Sequence, residues 1–444
     1  MMMQVNILSR KLIKPSKPTP THLRTYNISL IDELNPSMHV IRILFYPHSD
    51  HAELDYARLE QSLARVLPLF YPLAGRYNKE NHCIDCNDEG AHYSIAQVVD
   101  RQLDQLIGTE SEQLNHLLPL DICAADEPTD PILAIQINKF ECGGVAIGVC
   151  ASHRIFDSAS LGIFLTAWSR TANDEDDINI RPDFDSPVYF PSENLPPLQF
   201  QVSRTRDKTI VSKRFVFDKN AVAKLRESLT SSNEWKTTST RPPSRVVVVS
   251  TVLTQALMRA DAKSSSRGSL IAQAINVRER TVPPVSKHSC GTWVSLTYLE
   301  FDANESRVME RNFAGMATKM REASLEGVKD CARILSDKEF GRWVLVDSYF
   351  DAEEKAGGKD YKVVWVTDWS KFGDYELDFG FGKPEWVSLA DVPLKDMFIL
   401  MNTKDNDGIE AWVYLHESDM VIFEQDQDLQ SLTKFSNDQV KSNN

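Results

Sequence analysis

Two short stretches of this chain hold residues able to do chemistry. In Ser152-His153-Arg154-Ile155-Phe156-Asp157 an imidazole stands at the exit of an apolar run, and a carboxylate follows four residues later. Neutral imidazole, with an unperturbed pKa near ~6.5, is the usual general base at physiological pH. The spacing alone is cheap: ten histidines in an Asp-rich chain give about one such pair by chance. The second stretch, Asp378-Phe379-Gly380-Phe381-Gly382-Lys383-Pro384, is rich in glycine but is no phosphate loop, because no helix-forming run follows it. Two glycines around an aromatic residue predict a tight backbone with a ring packed inward. Cys83 and Cys86, preceded by His82, form a lone C-x-x-C. Zinc would need a second ligand pair at matching spacing, so these read as reduced strand thiols and no metal is expected.

The elements that must position these groups follow from hydrophobic pattern. Residues 132–140 and 145–152 are strand-like runs joined by Glu141-Cys142-Gly143-Gly144, where glycine supplies the positive φ of a tight turn. The second run delivers His153 at its end. Asp157, Ser158 and Ser160 are possible N-caps for a helix over 161–168. Asp157 therefore has a capping role ready made, and residues four apart across a strand-to-helix turn fit a Ser-His-Asp relay poorly. Upstream, 7–20 begins as a strand and dissolves at Pro15, Pro18 and Pro20; 40–46 is a buried strand and 54–67 a helix. The five prolines of 182–197 read as a connector. Beyond it, 213–217, 270–277, 361–365, 397–401 and 410–415 are strand-like, and 305–326 reads as one long helix. The valine run 246–249 precedes a helix over 252–260 that Ser250 and Thr251 would cap. Interleaved strands and helices place the fold in the α/β (α+β) class.

A chain of 444 residues, 42% hydrophobic, can fill two or three domain cores. No apolar run is long enough to cross a bilayer, and the N-terminus lacks a signal-like block, so a cytosolic protein without membrane contact is expected. Seven cysteines, an odd and scattered set, point to free thiols in a reducing compartment. A formal charge of −14 speaks against nucleic acid as a partner. The acidic run 174–177 is read as a solvated loop.

Further segments join the two motifs: Phe70-Tyr71-Pro72-Leu73-Ala74-Gly75-Arg76, Asp85-Cys86-Asn87-Asp88-Glu89-Gly90, Lys213-Arg214-Phe215-Val216-Phe217 and Asp407-Gly408-Ile409-Glu410-Ala411-Trp412. Together they resemble the BAHD family of plant acyl-CoA-dependent acyltransferases, marked by His-x-x-x-Asp and, far downstream, Asp-Phe-Gly-Trp-Gly. The resemblance runs over residues 13–420 and is closest to the group that includes vinorine synthase and salutaridinol acetyltransferase. It implies two chloramphenicol-acetyltransferase-like domains with a channel between them, here 1–195 and 213–444 joined by a crossover at 196–212. It further implies a monomer that esterifies a hydroxyl of a plant specialised metabolite, an alkaloid or terpenoid alcohol first. Acyl-CoA, most simply acetyl-CoA, would be co-substrate, with no bound cofactor.

His153 would then be the general base of a ternary complex, taking the hydroxyl proton and returning it to the thiolate. Asp157 would support the site by pairing with an Arg of the other half, Arg278 or its competitor Arg280. Asp378, Gly380 and Gly382 would serve architecture. Coenzyme A phosphates call for cations and helix-start amides, which nominates Lys213, Arg214, Ser250, Thr251 and Lys383. Two departures from the family pattern stand out: Phe381 replaces the usual Trp, and Ser289-Cys290-Gly291-Thr292 replaces a segment with Tyr and Gly-Asn. Acceptor-lining positions are expected at Ile155, Phe156 and 35–39. A phenolic, quinone or amine acceptor, a non-catalytic binding protein of the same fold, and a metal site on His153 and Asp157 remain as alternatives.

Overall fold

The computed structural model describes residues 3–48, 55–109, 111–125, 127–174, 179–192, 207–238, 241–358 and 360–433. Two six-stranded mixed sheets dominate. The first runs, in spatial order, Val5–Ile13, Ala91–Val98, Leu133–Phe140, Val145–Ser152, His39–Tyr46 and Trp386–Ser388. The second runs Val294–Phe301, Gly268–Asn276, Tyr361–Asp368, Met397–Asn402, Ile409–His416 and Ile210–Phe217. The α/β mixture predicted from the interleaved pattern is therefore present. Strand Trp386–Ser388 comes from the late part of the chain yet pairs with His39–Tyr46 through Trp386 opposite Phe45. Trp386, Ile399, Trp412 and Tyr414 accordingly pack in the apolar core of the first sheet.

The hairpin of Leu133–Phe140 and Val145–Ser152 turns at Gly143, whose φ of 82° lies in the left-handed region that glycine tolerates. Both His39–Tyr46 and Val145–Ser152 are buried along their whole length, and their register sets His39 opposite Ser152. That register fixes where the next residue, His153, leaves the sheet.

Several elements differ from the sequence expectation. Residues 245–249 are the first turns of helix Arg245–Asp261, with Ser244 as N-cap accepting from Val247 N. β-branched residues favour strands only weakly; here Val248, Val249, Val252, Leu253 and Ala256 turn one helical face into the second core. The helix read over 305–326 is two, Ala303–Met309 and Phe313–Ser336, restarted by Asn312, whose side chain caps Gly315 N at 2.9 Å. Helix Gly341–Gly357 and strands Ala91–Val98 and Val294–Phe301 carry mixed polar patterns that periodicity did not single out. The crossover expected at 196–212 lies outside the described residues up to 206, and Ile210 already belongs to a strand. Of the acidic run, residues 175–177 also lie outside the described residues; Asp174 pairs with Arg65 at 2.9 Å and Arg58 at 3.6 Å. Among the described residues no helix is long and apolar enough to cross a membrane.

Candidate active site

His153 follows the last residue of its strand and is held by backbone contacts from both halves of the chain. Its N–H donates to the Met38 carbonyl at 2.8 Å, and its own carbonyl accepts from Thr292 Oγ1 at 3.4 Å. The ring faces a cavity of about 840 Å³. Nδ1 is buried without a hydrogen-bond partner. Burial holds the imidazole pKa below its ordinary value, outweighing its own backbone carbonyl and the Asp157 charge, which act the other way. The ring is therefore neutral, with a lone pair to offer, at neutral pH.

Asp157 caps helix Ser158–Ala172, accepting from Ser160 N at 2.7 Å. The same carboxylate receives both Arg278 terminal nitrogens, Nη1 on Oδ2 at 2.7 Å and Nη2 on Oδ1 at 3.0 Å, and the Trp293 amide on Oδ2 at 3.2 Å. Arg278 is spent further on the carbonyls of Ser289 at 2.7 Å and Gly291 at 3.1 Å, and on Ser160 Oγ at 3.0 Å. Both partners are buried, at 3% and 5% side-chain exposure. A bidentate pair so fully bonded fixes geometry more than it adds net stability. With both oxygens engaged, Asp157 is not offered with His153 as a metal-ligand pair. Arg280 instead donates to the Asn276 carbonyl at 2.7 Å.

Of two contacts made here by Asp32, the one to Ser29 has a local Ser-x-x-Asp signal and the one to Thr292 has none in the sequence. Asp32, buried in the short helix Leu30–Glu33, accepts from Thr292 N at 2.7 Å and from Ser29 Oγ at 2.6 Å. Burial raises its pKa to about 6. Through Thr292 it ties the 289–293 segment to the back of His153.

The main cavity is lined by Asn35, Pro36, Met38 and His39, as expected for part of 35–39. Ile155 and Phe156 do not line it: both are fully buried, Phe156 among Phe70 and Phe184, because the loop turns them into the first core. A second cavity of about 530 Å³ shares Ala159, Asn276 and Phe372 with the first. Its wall carries Arg280, Lys287, His288 and Lys371 against one acid, Glu279. Burial, with the neighbouring Lys287 charge, lowers the His288 pKa. In the sequence, Arg278 and Arg280 stand out only as possible partners of Asp157, and Lys287 and His288 are passed over; the density of cations over 278–288 is the available signal, and the approach of Lys371 has none.

None of the five residues nominated for coenzyme A lines either cavity. Lys213 pairs with Glu424 and Lys383 with Glu376. Arg214 is buried against Glu410 at 3.1 Å. Ser250 and Thr251 are not at a helix start; they are buried inside Arg245–Asp261, Thr251 bonding the Val247 carbonyl at 2.8 Å. Cys83 and Cys86 are buried free thiols, Cys83 in strand Cys83–Asp85.

The 378–384 segment lines neither cavity. Asp378 Oδ1 accepts from Gly380 N at 2.8 Å and Gly382 N at 3.0 Å, with both glycines at positive φ, 98° and 103°. Phe379 is buried edge-on against Trp168 at 4.7 Å, and Phe381 packs edge-on against Tyr46 at 4.8 Å. The Asp378 carbonyl accepts from Asn173 Nδ2 at 2.6 Å, tying the turn to the end of helix Ser158–Ala172.

Comparison with known proteins adds an independent line. The Transferase family matches residues 3–430. Stemmadenine O-acetyltransferase from Catharanthus roseus is 35% identical over 435 residues, covering 95% of this chain and 97% of that protein. The crystal structure of vinorine synthase superposes with a TM-score of 0.81 at 32% identity, over 97% of this chain and 99% of that one. The structure of F. sporotrichioides TRI101 complexed with coenzyme A and T-2 superposes with a TM-score of 0.70 at 18% identity, over 93% of this chain and 99% of that one. That likeness is one of fold.

Proposed function

Since the chain belongs to the BAHD family of plant acyl-CoA-dependent acyltransferases, we propose that it moves an acyl group, acetyl first, from coenzyme A to a hydroxyl of a specialised metabolite with His153 as the general base. One observation carries the role of His153: a neutral imidazole with a depressed pKa, at a strand exit, facing the large cavity.

The acceptor hydroxyl loses its proton to His153 as its oxygen attacks the thioester carbonyl. The intermediate collapses, and His153 returns the proton to the departing thiolate. Asp157 and Arg278 keep the loop in shape and do not touch the proton. The basic wall of Arg280, Lys287, His288 and Lys371 is where the phosphates of coenzyme A would be met, which replaces the five residues nominated from sequence. The acceptor then enters from the main cavity, and both substrates reach His153 in one ternary complex. The name of the Catharanthus relative, an O-acetyltransferase, favours a hydroxyl over an amine acceptor; an alkaloid or terpenoid alcohol is the acceptor class we put first.

We take 1–195 and 213–444 as the two domains flanking the site; all strands of the first six-stranded sheet except Trp386–Ser388 come from the former. Seven free cysteines suit the reducing cytosol where we place the protein, and we take it to be a monomer. The test is a screen of acyl-CoA donors against alkaloid, terpenoid, phenolic and amine acceptors, read by free thiol and by product mass. Absence of transfer from every donor, or full turnover by His153→Ala, would defeat the proposal.

A further inference from the structure

The main cavity carries a second set of polar atoms that proton transfer by His153 does not use. Arg42 stands in mid-strand of His39–Tyr46 with no exposed surface. Its Nε donates to Asp374 Oδ2 at 3.0 Å, Nη1 to the Ile41 carbonyl at 2.9 Å, and Nη2 to Ser158 Oγ at 2.5 Å. The guanidinium also lies 4.3 Å from the centre of the Trp369 ring. Ile41, Ser158 and Trp369 all line the cavity that holds His153.

A hydroxyl has one proton to give and two lone pairs to accept with. Arg42 is a donor only, so it occupies a lone pair of Ser158 and cannot take the Ser158 proton. Among the described residues that proton has no acceptor, although Ser158 is only 6% exposed. Its position is fixed, because it is the first residue of the helix that Asp157 caps. Burying an arginine and a carboxylate is costly where an apolar pair would pack as well, so the device calls for a use.

We infer that Ser158 is a catalytic residue of the transfer, its hydroxyl donating to the thioester carbonyl oxygen as that oxygen becomes an oxyanion, with Arg42 as the positioning residue that keeps the proton turned toward the cavity. The inference rests on the acyl-transfer reading. His153 takes the acceptor proton, the acceptor oxygen bonds to the carbonyl carbon, and the carbonyl π pair moves onto oxygen, where Ser158 meets it. The pair then returns, the C–S bond breaks, and the thiolate takes the proton from His153, giving the ester and free coenzyme A. The charge-assisted bond from Arg42 makes Ser158 a stronger donor. Asp374 balances the buried charge.

The experiment measures kcat and both KM values for wild type, Ser158→Ala, Ser158→Thr and the double variant Arg42→Met/Asp374→Leu. Loss of one oxyanion donor costs ~10²–10³-fold in kcat. Ser158→Ala should show that loss with the acyl-CoA KM within about twofold, together with a lower melting temperature because buried Arg42 Nη2 loses its acceptor, and Ser158→Thr should restore both most of the rate and the melting temperature. The double variant removes both buried charges together, so it stays folded. It should lose rate in kcat, and adding Ser158→Ala to it should cost much less than in wild type. Wild-type kcat in Ser158→Ala, a loss confined to KM or melting, or full additivity with the double variant would overturn the inference while leaving the role of His153 intact. If wild type itself transfers no acyl group, the acyl-transfer reading has failed instead.

Discussion

The 152–157 loop and the 378–384 turn are both short and both hold an aspartate that organises backbone amides, yet they are built for opposite ends. In the turn, Asp378 satisfies Gly380 and Gly382, and the rings of Phe379 and Phe381 close against Trp168 and Tyr46. The segment lines neither of the two cavities described above. In the loop, Asp157 is saturated by Arg278, Ser160 and Trp293, while the adjoining His153 Nδ1 is left without a partner beside a large cavity. A buried polar atom left unpaired is expensive, and here it belongs to the imidazole proposed as the base. One loop stores organisation for the fold; the other spends it to hold an imidazole ready.

The largest expected effect falls on His153, the proposed base. His153→Ala should keep its circular dichroism and melting but lose ~10²–10⁴-fold in kcat; turnover near wild type would erase the contrast between the loops. The lowered His153 pKa sets the sign of the pH dependence. kcat/KM should rise with pH to a plateau, with its acid half-point below the ordinary histidine value of ~6.5. Stability follows the same direction: below ~6.5 the unfolded chain binds a proton that the folded ring resists, so this contribution is lost as pH falls. Asp32 opposes it, since a carboxyl with a pKa of about 6 takes up its proton in the folded state first. Melting of His153→Ala across this range should therefore fall less steeply on acidification than that of wild type.

Next comes Asp157→Ala, which strands Arg278 in the interior and removes a cap. Breaking a buried pair costs ~3–5 kcal/mol and a cap ~1 kcal/mol, so the melting temperature should drop together with activity. Abolished turnover at unchanged melting would instead give Asp157 a direct part in the reaction.

Asp378→Ala is the matching cut in the turn. It leaves two amides without their acceptor, a loss of ~1–3 kcal/mol, and should lower melting or soluble yield with both KM values unchanged. The smallest effect belongs to Phe381→Trp. Phe381 is half-buried with open space around the neighbouring Gly382, so a larger ring should cost no more than about 1 kcal/mol. A selective change in the acceptor KM from either variant would give the turn a place in the acceptor pocket.

How much of this was legible beforehand differs by residue. The hairpin, the His153 exit and the Asp157 cap follow from local rules, because alternation, a glycine turn and an aspartate before a helical run act within a dozen residues. The valine run 246–249 misled, since composition favours a strand and only the Ser244 cap with packing into the second core makes it a helix. Lys213, Arg214 and Lys383 looked available as letters, yet each found a carboxylate far along the chain or across a turn.

By itself, then, the sequence determined the fold class, the strand exit that carries His153 and the cap beside it, for these depend on residue type and short spacing. Tertiary structure decided that Arg278 rather than Arg280 meets Asp157 across 121 residues. It also decided that Arg42 reaches Asp374 and Ser158, and that a basic wall forms from 280–288 with Lys371. The physical reason is the same each time. Charge pairing and desolvation depend on distance and burial, and those exist only once the two sheets have packed.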